Sequence, residues 1–579
     1  MIHRVFSSLP SFKELSFGGG LNMLVADVTP TSGEKDTRNG TGKSSFIELL
    51  HFLLGSDARP DSIFRSETLG PHEFGIEFDV PSGDGIETIR VRRSGAQHGK
   101  VEVEGWKSVL GEAPTSISNG DWKSLLFERL LGLGGLPSYA PSGRSILSYV
   151  LRRQGSGAFQ APEKHGSQQA LWDQQVNLSY IFGLDWAIPH DWHLVRQREK
   201  GLTELRKAAR EGALGSPVGE VGELRAAVII ADRAAERTRG QVSEFRVVDQ
   251  YSDVQEEASR VSRRLADLNS GNLIDRKYID QVADREVNEA SPDTDSLREL
   301  YRQARVELPD TALVRYGDVE LFHRAVIENR RLYLAEEARA AQERVDRRTA
   351  EIASLDQRRS NLLNILRSGG ALETFMLLQR EQTRQEAEVE SLRQRLSAAE
   401  ALAARQTTLQ LERQQLFDRL QREYRERRQL LAEATLVFEE LSHYLYGDVG
   451  GLLAISESEN GPRFQVSIEG ERSKGITNML ILCFDLTMMR IAHPAGRLPD
   501  FVVHDSHVFD GVDPRQVRAA ILLSAQEASQ LGYQHIMTMN SDQLPPDGEE
   551  LGRVLRKAIL PVRLTDRHVD GGLFGIRFA

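Results

Sequence analysis

Thr37-Arg38-Asn39-Gly40-Thr41-Gly42-Lys43-Ser44 is a run of residue types suited to holding the phosphates of a nucleotide. Glycines let backbone N–H groups turn inward around a β-phosphate. The Lys43 ammonium would neutralise the β- and γ-phosphates, and the Ser44 hydroxyl would ligate Mg²⁺. The run meets the phosphate-loop pattern at every position but the first, where Thr37 replaces glycine. Asn39, Gly40, Thr41, Gly42, Lys43, Ser44 and Ser45 are therefore candidate ATP ligands.

A second set of residues, far along the chain, supplies the complementary chemistry. Asp505 ends the apolar run Phe501-Val502-Val503-His504, where a Walker B carboxylate would organise Mg²⁺. Gln154, in Arg152-Arg153-Gln154-Gly155, is a Q-loop candidate for sensing Mg²⁺ and the attacking water, so Ser44, Gln154 and Asp505 form the candidate metal set. Ser473 and Gly475 precede the helical run 478–492. There a hydroxyl, backbone N–H groups and a helix dipole would meet the γ-phosphate held by a second copy; a plain N-cap explains Ser473 equally well. Asp513, in Gly511-Val512-Asp513, stands where a D-loop aspartate is expected, one residue further along than usual.

The catalytic base is the irregular feature. Ser506 follows Asp505 where ABC-type sites carry a glutamate, and Asn540 ends His535-Ile536-Met537-Thr538-Met539 where a switch histidine usually stands. A serine is no general base near neutral pH, which leaves His507 and Asp510 as the nearby alternatives. His507 is favoured because an unperturbed imidazole titrates near ~6.5.

The elements that must hold these groups are legible on both sides of them. LNMLVAD (21–27) has the unbroken apolar character of a buried strand, and SSFIELLHFLLG (44–55) reads as a helix ended by Gly55. FGIEFDV (74–80) and ETIRVRR (87–93) alternate as half-buried strands do, around a turn at 81–85. Further strands are expected at 463–470, 500–505, 535–540 and 573–578. Between these two α/β-textured regions, residues 193–445 turn rich in Arg, Glu, Gln, Ala and Leu. Leu392, Leu396, Ala399, Leu409, Leu416 and Leu420 mark an imperfect coiled-coil seam there. Breaks are expected at 215–217, 291–293 and 308–310, with a reversal at 368–370. The fold class is thus an α/β ABC-type P-loop ATPase head assembled from both chain ends, with a long α-helical coiled-coil insertion. Its domains are 1–192, 193–445 and 446–579. A compact helical bundle is the alternative for the middle region.

Composition narrows the setting. Of 579 residues, 40% are hydrophobic and 27% charged, which suits a long solvated helical region beside a core. A net charge of -11 argues against a uniformly basic nucleic-acid binder. No run approaches the ~18 uninterrupted apolar residues of a membrane span. The start lacks the apolar core of a secretory signal, and the lone Cys483 excludes an internal disulfide. A cytoplasmic protein without a membrane role is expected.

Taken together, the 39–44 loop, the coiled-coil insertion and the carboxy-terminal Walker B region resemble the SMC-like and RecN-like ATPases. The stretches 148–159, 321–337, 443–453, 472–487, 504–516 and 539–545 are similar to the YydD-type family of uncharacterised bacterial SMC-like ATPases. That resemblance implies the ATPase of a multi-component system in defence against phage and plasmids. Two readings follow. One is an ATP- and Mg²⁺-driven machine whose heads dimerise on nucleotide, with an accessory or effector protein and DNA as partners. The arginines at 413, 419, 422, 425, 427 and 428 would offer phosphate contacts, although Glu412, Asp418, Glu423 and Glu426 equally suit a solvated flank. The other is a nucleotide-dependent sensor or scaffold that turns ATP over slowly.

Overall fold

The structure is a computed structural model that describes residues 1–27, 42–83, 85–137, 140–210, 219–245, 252–288, 310–366, 372–447, 449–468, 473–546, 548–565 and 570–576. Thr37, Arg38, Asn39, Gly40 and Thr41 lie outside the described residues, as do the expected breaks at 215–217 and 291–293, the Leu308-Pro309 part of the next, and the reversal at 368–370. In chain order the elements begin β1 (Ile2–Ser7), β2 (Leu15–Ser16), β3 (Gly20–Asp27), α1 (Lys43–Leu53), β4 (Glu73–Ser82), β5 (Gly85–Ser94), β6 (Lys100–Glu104) and β7 (Thr115–Ser118). Then come α2 (Asn119–Leu131), α3 (Gly143–Val150) and α4 (Leu171–Ile181). The helical region holds α5 (Ala187–Arg210), α6 (Val221–Glu244), α7 (Ser252–Asn288), α8 (Asp310–Leu366), α9 (Leu372–Glu426) and α10 (Arg428–Tyr446). The chain closes with β8 (Gly451–Ser458), β9 (Gly461–Ile468), α11 (Lys474–Ala492), β10 (Phe501–His504), α12 (Pro514–Leu531), β11 (Gln534–Asn540), α13 (Glu549–Ala558) and β12 (Leu564–Thr565).

Two compact units result. The first is Met1–His193, Thr294–Gly317 and Gln415–Ala579; the second is Leu194–Asp293 and Asp318–Gln414. The first unit contains a four-stranded sheet in the order β10-β11-β3-β12, parallel throughout. One early strand is therefore flanked by strands from the far end of the sequence. Leu21–Ala26 and Phe501–His504 are wholly buried, as parallel strands covered on both faces must be. A six-stranded antiparallel sheet, β2-β1-β4-β5-β6-β7, carries the alternating segments. The buried Gln534 at the start of β11 ties the two sheets: its amide accepts from Ile2 N at 2.9 Å and donates to Ile2 O and Gly18 O at 2.8 Å each.

α11 is apolar nearly all round and lies inside this unit, which is what such a helix requires. By length and composition Lys474–Ala495 would suit a membrane span, but 83% of its most apolar stretch is buried within the protein. Cys483 on this helix is a free, fully buried thiol, and burial pushes its pKa up.

One expected strand is not formed. The described part of 573–578 makes turns, with Gly575 at φ 63°. Leu573 and Phe574 are buried, and the Phe574 ring packs among Phe12, Phe64 and Phe74 at 5.6, 6.3 and 5.7 Å between centroids. Aromatic packing, with single bonds from Lys13 N to Leu573 O at 2.9 Å and from Ser11 Oγ to Phe574 O at 2.7 Å, holds this segment in place of a strand ladder.

The second unit is built of antiparallel helix pairs. Arg225–Glu400, Arg393–Asp232 and Arg239–Glu386 run in opposite sequence directions along α6 and α9. Arg264–Glu351 and the Arg344 and Arg348 contacts to Asp275 do the same along α7 and α8. At ~1.5 Å per residue, the 57 residues of α8 and 55 of α9 each extend on the order of 80 Å. Along α9, Ala399, Leu409 and Leu420 of the expected seam are buried. In the arginine-rich stretch, Arg413 pairs with Glu199, Arg419 with Asp185 and Asp191, and Arg427 with Glu423. These contacts favour the solvated flank over a phosphate-binding patch at those three positions.

His51 on α1 gives the first unit an acid-sensitive element. Its Nε2 donates to Leu151 O at 2.8 Å, while Nδ1 has no hydrogen-bond partner among the described residues. Burial, aided by the Arg153 and Arg144 charges, pushes its pKa well below the ordinary value. The folded imidazole stays neutral where the unfolded one gains a proton, so stability falls as pH drops below about 6.5. His51→Gln keeps a donor near Leu151 O and should flatten that decline by up to about 1.4 kcal/mol per pH unit. Urea melts between pH 7.5 and 5.5 measure it; an unchanged slope counts against the neutral buried histidine.

Candidate functional site

Gly42 opens α1 in the left-handed region at φ 91°, where a side chain would also meet Leu573 Cβ at 2.9 Å. Glycine is therefore required there on both conformational and steric grounds. Lys43 and Ser44 follow in the first turn of the helix, with Ser45 beside them. Lys43 is buried, and its Nζ donates to Asn540 Oδ1 at 2.6 Å; Ser44 Oγ donates to Asp505 Oδ2 at 3.0 Å. Residues from the two chain ends meet at these two bonds because β3, β11 and β10 lie side by side.

Asp505 is buried and receives two further hydroxyls. Thr538 Oγ donates to Oδ1 at 2.8 Å, and Ser506 Oγ to the same oxygen at 3.2 Å. Thr538 Oγ also accepts from Ser506 N at 3.0 Å, fixing the turn after β10. Ser506 thus braces the carboxylate beside it. Asn540 accepts the Lys43 ammonium while capping the short turn that follows, with Gln543 reciprocating.

His507 and Asp510 are neighbours. His507 Nδ1 lies 2.7 Å from Asp510 Oδ2, and the Phe159 ring meets the imidazole edge-on at 5.0 Å between centroids. Lys474 donates to the same Asp510 oxygen at 3.3 Å, and Gln543 Nε2 reaches Oδ1 at 3.4 Å. Asn478 Nδ2 donates to the carbonyls of His507 and Asp510 at 3.0 and 3.1 Å. A Cβ on Gly475 would stand 2.2 Å from Gly511 O, so this close approach admits only glycine. The turn carrying Ser473 is therefore packed directly on the turn carrying His507 and Asp510.

Ser473 is exposed and caps α11, its Oγ accepting from Ile476 N at 3.3 Å. Asp513 likewise caps α12, accepting from Arg515 N at 2.8 Å ahead of Pro514. Neither bonds to Lys43, Ser44 or Asp505 in the same chain. Gln154 is exposed, in a short 3-10 turn. Leu151 pairs in parallel with Val503, which carries the Gln154 segment alongside the strand that ends at Asp505. Among the described residues no group of three or more His, Cys, Asp or Glu side chains gathers as a metal site. A hydroxyl and a carboxylate 3.0 Å apart are nevertheless hard oxygen donors of the kind Mg²⁺ takes.

The chain is 21% identical to the uncharacterised protein YydD of Bacillus subtilis (strain 168), over 99% of this chain and 98% of that one. Residues 441–578 match the model of an uncharacterised protein family conserved in bacteria, DUF2326. Residues 278–403 match C-terminal domain 10 of the ABC-three component (ABC-3C) systems. Among solved structures, the Smc head domain with a coiled coil and joint from Pyrococcus yayanosii aligns with TM-score 0.36 and 15% identity, covering 97% of this chain and 94% of that one. The Smc head with an extended coiled coil, bound to the C-terminal domain of ScpA, from Pyrococcus furiosus aligns with TM-score 0.36 and 12% identity, covering 99% and 94%.

Several residues of this chain were not singled out from its sequence. Thr538, Lys474, Asn478 and Gln543 join the site only through folding. Asp485 carried a usable signal: a lone carboxylate inside an apolar helix is costly unless partnered. Its partners, Arg152 and His504, lie 333 and 19 residues away.

Proposed function

We propose that this chain is an SMC-like ABC-type ATPase that binds ATP and Mg²⁺ between the heads of two copies and couples their closure to partner protein or DNA. The observation that carries the reading is the Ser44–Asp505 contact at 3.0 Å beside Lys43 at a helix amino terminus. It joins a hydroxyl, a carboxylate and an ammonium where the helix dipole favours phosphate. In this reading Lys43 compensates phosphate charge, while Asn39, Gly40, Thr41 and Gly42 turn backbone N–H groups to it. Ser44, Asp505 and Gln154 hold Mg²⁺, which when bound supplies charge compensation to the phosphates. Asp510 orients His507 through Nδ1, leaving Nε2 to take a proton from water. Ser473, Gly475 and Asp513 serve the nucleotide of the opposing copy. The ABC-3C match favours accessory proteins as partners, in the cytoplasm and in defence against phage or plasmids.

A second reading has its own observation. Ser506 occupies the position of the usual glutamate and bonds to Asp505, so the chain has no carboxylate directly after the metal-organising one. A slow ATPase acting as a nucleotide-dependent sensor for an effector would fit. Turnover measured with and without DNA separates the two.

Closure through Ser473 is the sharper test. Ser473→Arg should leave ATP binding to the single chain intact and abolish an ATP-dependent dimer in sedimentation velocity. A dimer of wild-type stability in that variant removes Ser473 from the interface.

A further inference from the structure

Arg152 and Asp485 are both fully buried, and the guanidinium grips the carboxylate twice, Nε to Oδ2 and Nη2 to Oδ1, each at 2.7 Å. The remaining Arg152 donors go to the carbonyls of Ala158, Lys164 and Pro162 at 2.8, 2.6 and 2.7 Å. All five guanidinium N–H groups are thereby used, so the cation is satisfied. Asp485 accepts a third bond, from His504 Nε2 at 3.0 Å, and His504 Nδ1 meets His535 Nε2 at 2.8 Å. A carboxylate only accepts, so the His504 proton is assigned to Nε2.

The positions of these residues give the network its meaning. Arg152 sits two residues before Gln154, Asp485 is on the helix capped by Ser473, and His504 immediately precedes Asp505. Beside Arg152, Leu151 O accepts from His51 on α1 and Leu151 pairs with Val503. Three elements that carry separate parts of the site are therefore joined through one buried ion pair. The third bond satisfies a further lone pair of the buried carboxylate and, by doing so from His504, ties the ion pair to the residue before Asp505.

We propose that His504 is a positioning residue that carries the Arg152–Asp485 pair to Asp505, so that the Gln154 segment and the Ser473 helix together set the carboxylate that receives Mg²⁺. The proposal rests on the nucleotide reading above. A shift of α11 on engaging a second head would then reach the metal-binding carboxylate through Asp485 and His504. Second-shell partners of metal ligands typically govern about 10–100-fold of metal affinity or activity.

The test is calorimetric ATP binding with and without Mg²⁺ for wild type, His504→Gln, His504→Leu and Asp485→Asn, each with a thermal melt. His504→Gln keeps an N–H near the Nε2 position and should retain most of the Mg²⁺-dependent gain in affinity. His504→Leu should lose about 10–100-fold of that gain while its Mg²⁺-free affinity stays at the wild-type value. Asp485→Asn should follow His504→Leu, and it supplies the reading if the leucine variant does not fold. A folded His504→Leu protein with the full Mg²⁺ gain overturns the proposal and leaves the nucleotide reading standing. Equal loss of Mg²⁺-free and Mg²⁺-dependent binding in both His504 variants also overturns it, since packing alone would then explain the effect. Wild-type protein that binds no ATP removes both.

Discussion

Lys43→Ala is expected to abolish ATP binding, with affinity falling by at least about 100-fold, equivalent to about 2.7 kcal/mol. The ammonium is buried at the amino terminus of α1, where it would face the β- and γ-phosphates at low effective dielectric. Its Nζ donates to the neutral Asn540 oxygen at 2.6 Å, a weaker acceptor than an anionic phosphate oxygen. The loss should be specific to binding. Asn540 keeps its capping bonds with Gln543, and α1 remains anchored by Phe46, Ile47, Leu49 and Leu50. Calorimetry with ATP and a thermal melt on the same sample measure both; unchanged affinity in a folded variant removes the phosphate-loop assignment.

Asp505→Asn should impair Mg²⁺-dependent ATP binding and turnover together. The carboxylate accepts from Ser44, Thr538 and Ser506, and all three donors are hydroxyls that can reorient toward an amide. The variant should therefore fold while losing the charge that a divalent cation needs. His507→Ala should separate the two effects, sparing binding and slowing turnover by about 10²–10⁴-fold, the usual worth of a general base. Asp510→Asn tests the partner that holds Nδ1 at 2.7 Å. A wild-type rate in His507→Ala with a slow Asp510→Asn assigns the base to the aspartate. Wild-type rates in both mean that the chain lacks its own base and favour the sensor reading.

The elements nearest the chemistry were legible because each is coded locally. The run 21–27 reads as a buried strand and forms β3, 500–505 contains β10, and 535–540 falls within β11. Glycines at 42 and 475 were read for phosphate contact, and the structure adds a steric reason at each, against Leu573 and Gly511. The segment 573–578 misled because apolar alternation does not distinguish a strand from turns pinned by aromatic packing. β8, half of a hairpin with β9, passed unmarked because its Ala454, Ser456 and Ser458 give weak alternation. The Arg152–Asp485–His504–His535 network was illegible for a different reason. Hydrogen bonds spanning 333 residues appear only once the order β10-β11-β3 is known.

The central claim is that nucleotide and Mg²⁺ bring two copies of this head together, and the most direct measurement is the solution mass of the wild-type protein by sedimentation velocity. Without nucleotide, and with ATP but no Mg²⁺, the account predicts the same species. With ATP and Mg²⁺ together it predicts a new species of twice that mass, absent from Lys43→Ala under the same conditions. An unchanged mass at ATP and Mg²⁺ concentrations that saturate binding would contradict it.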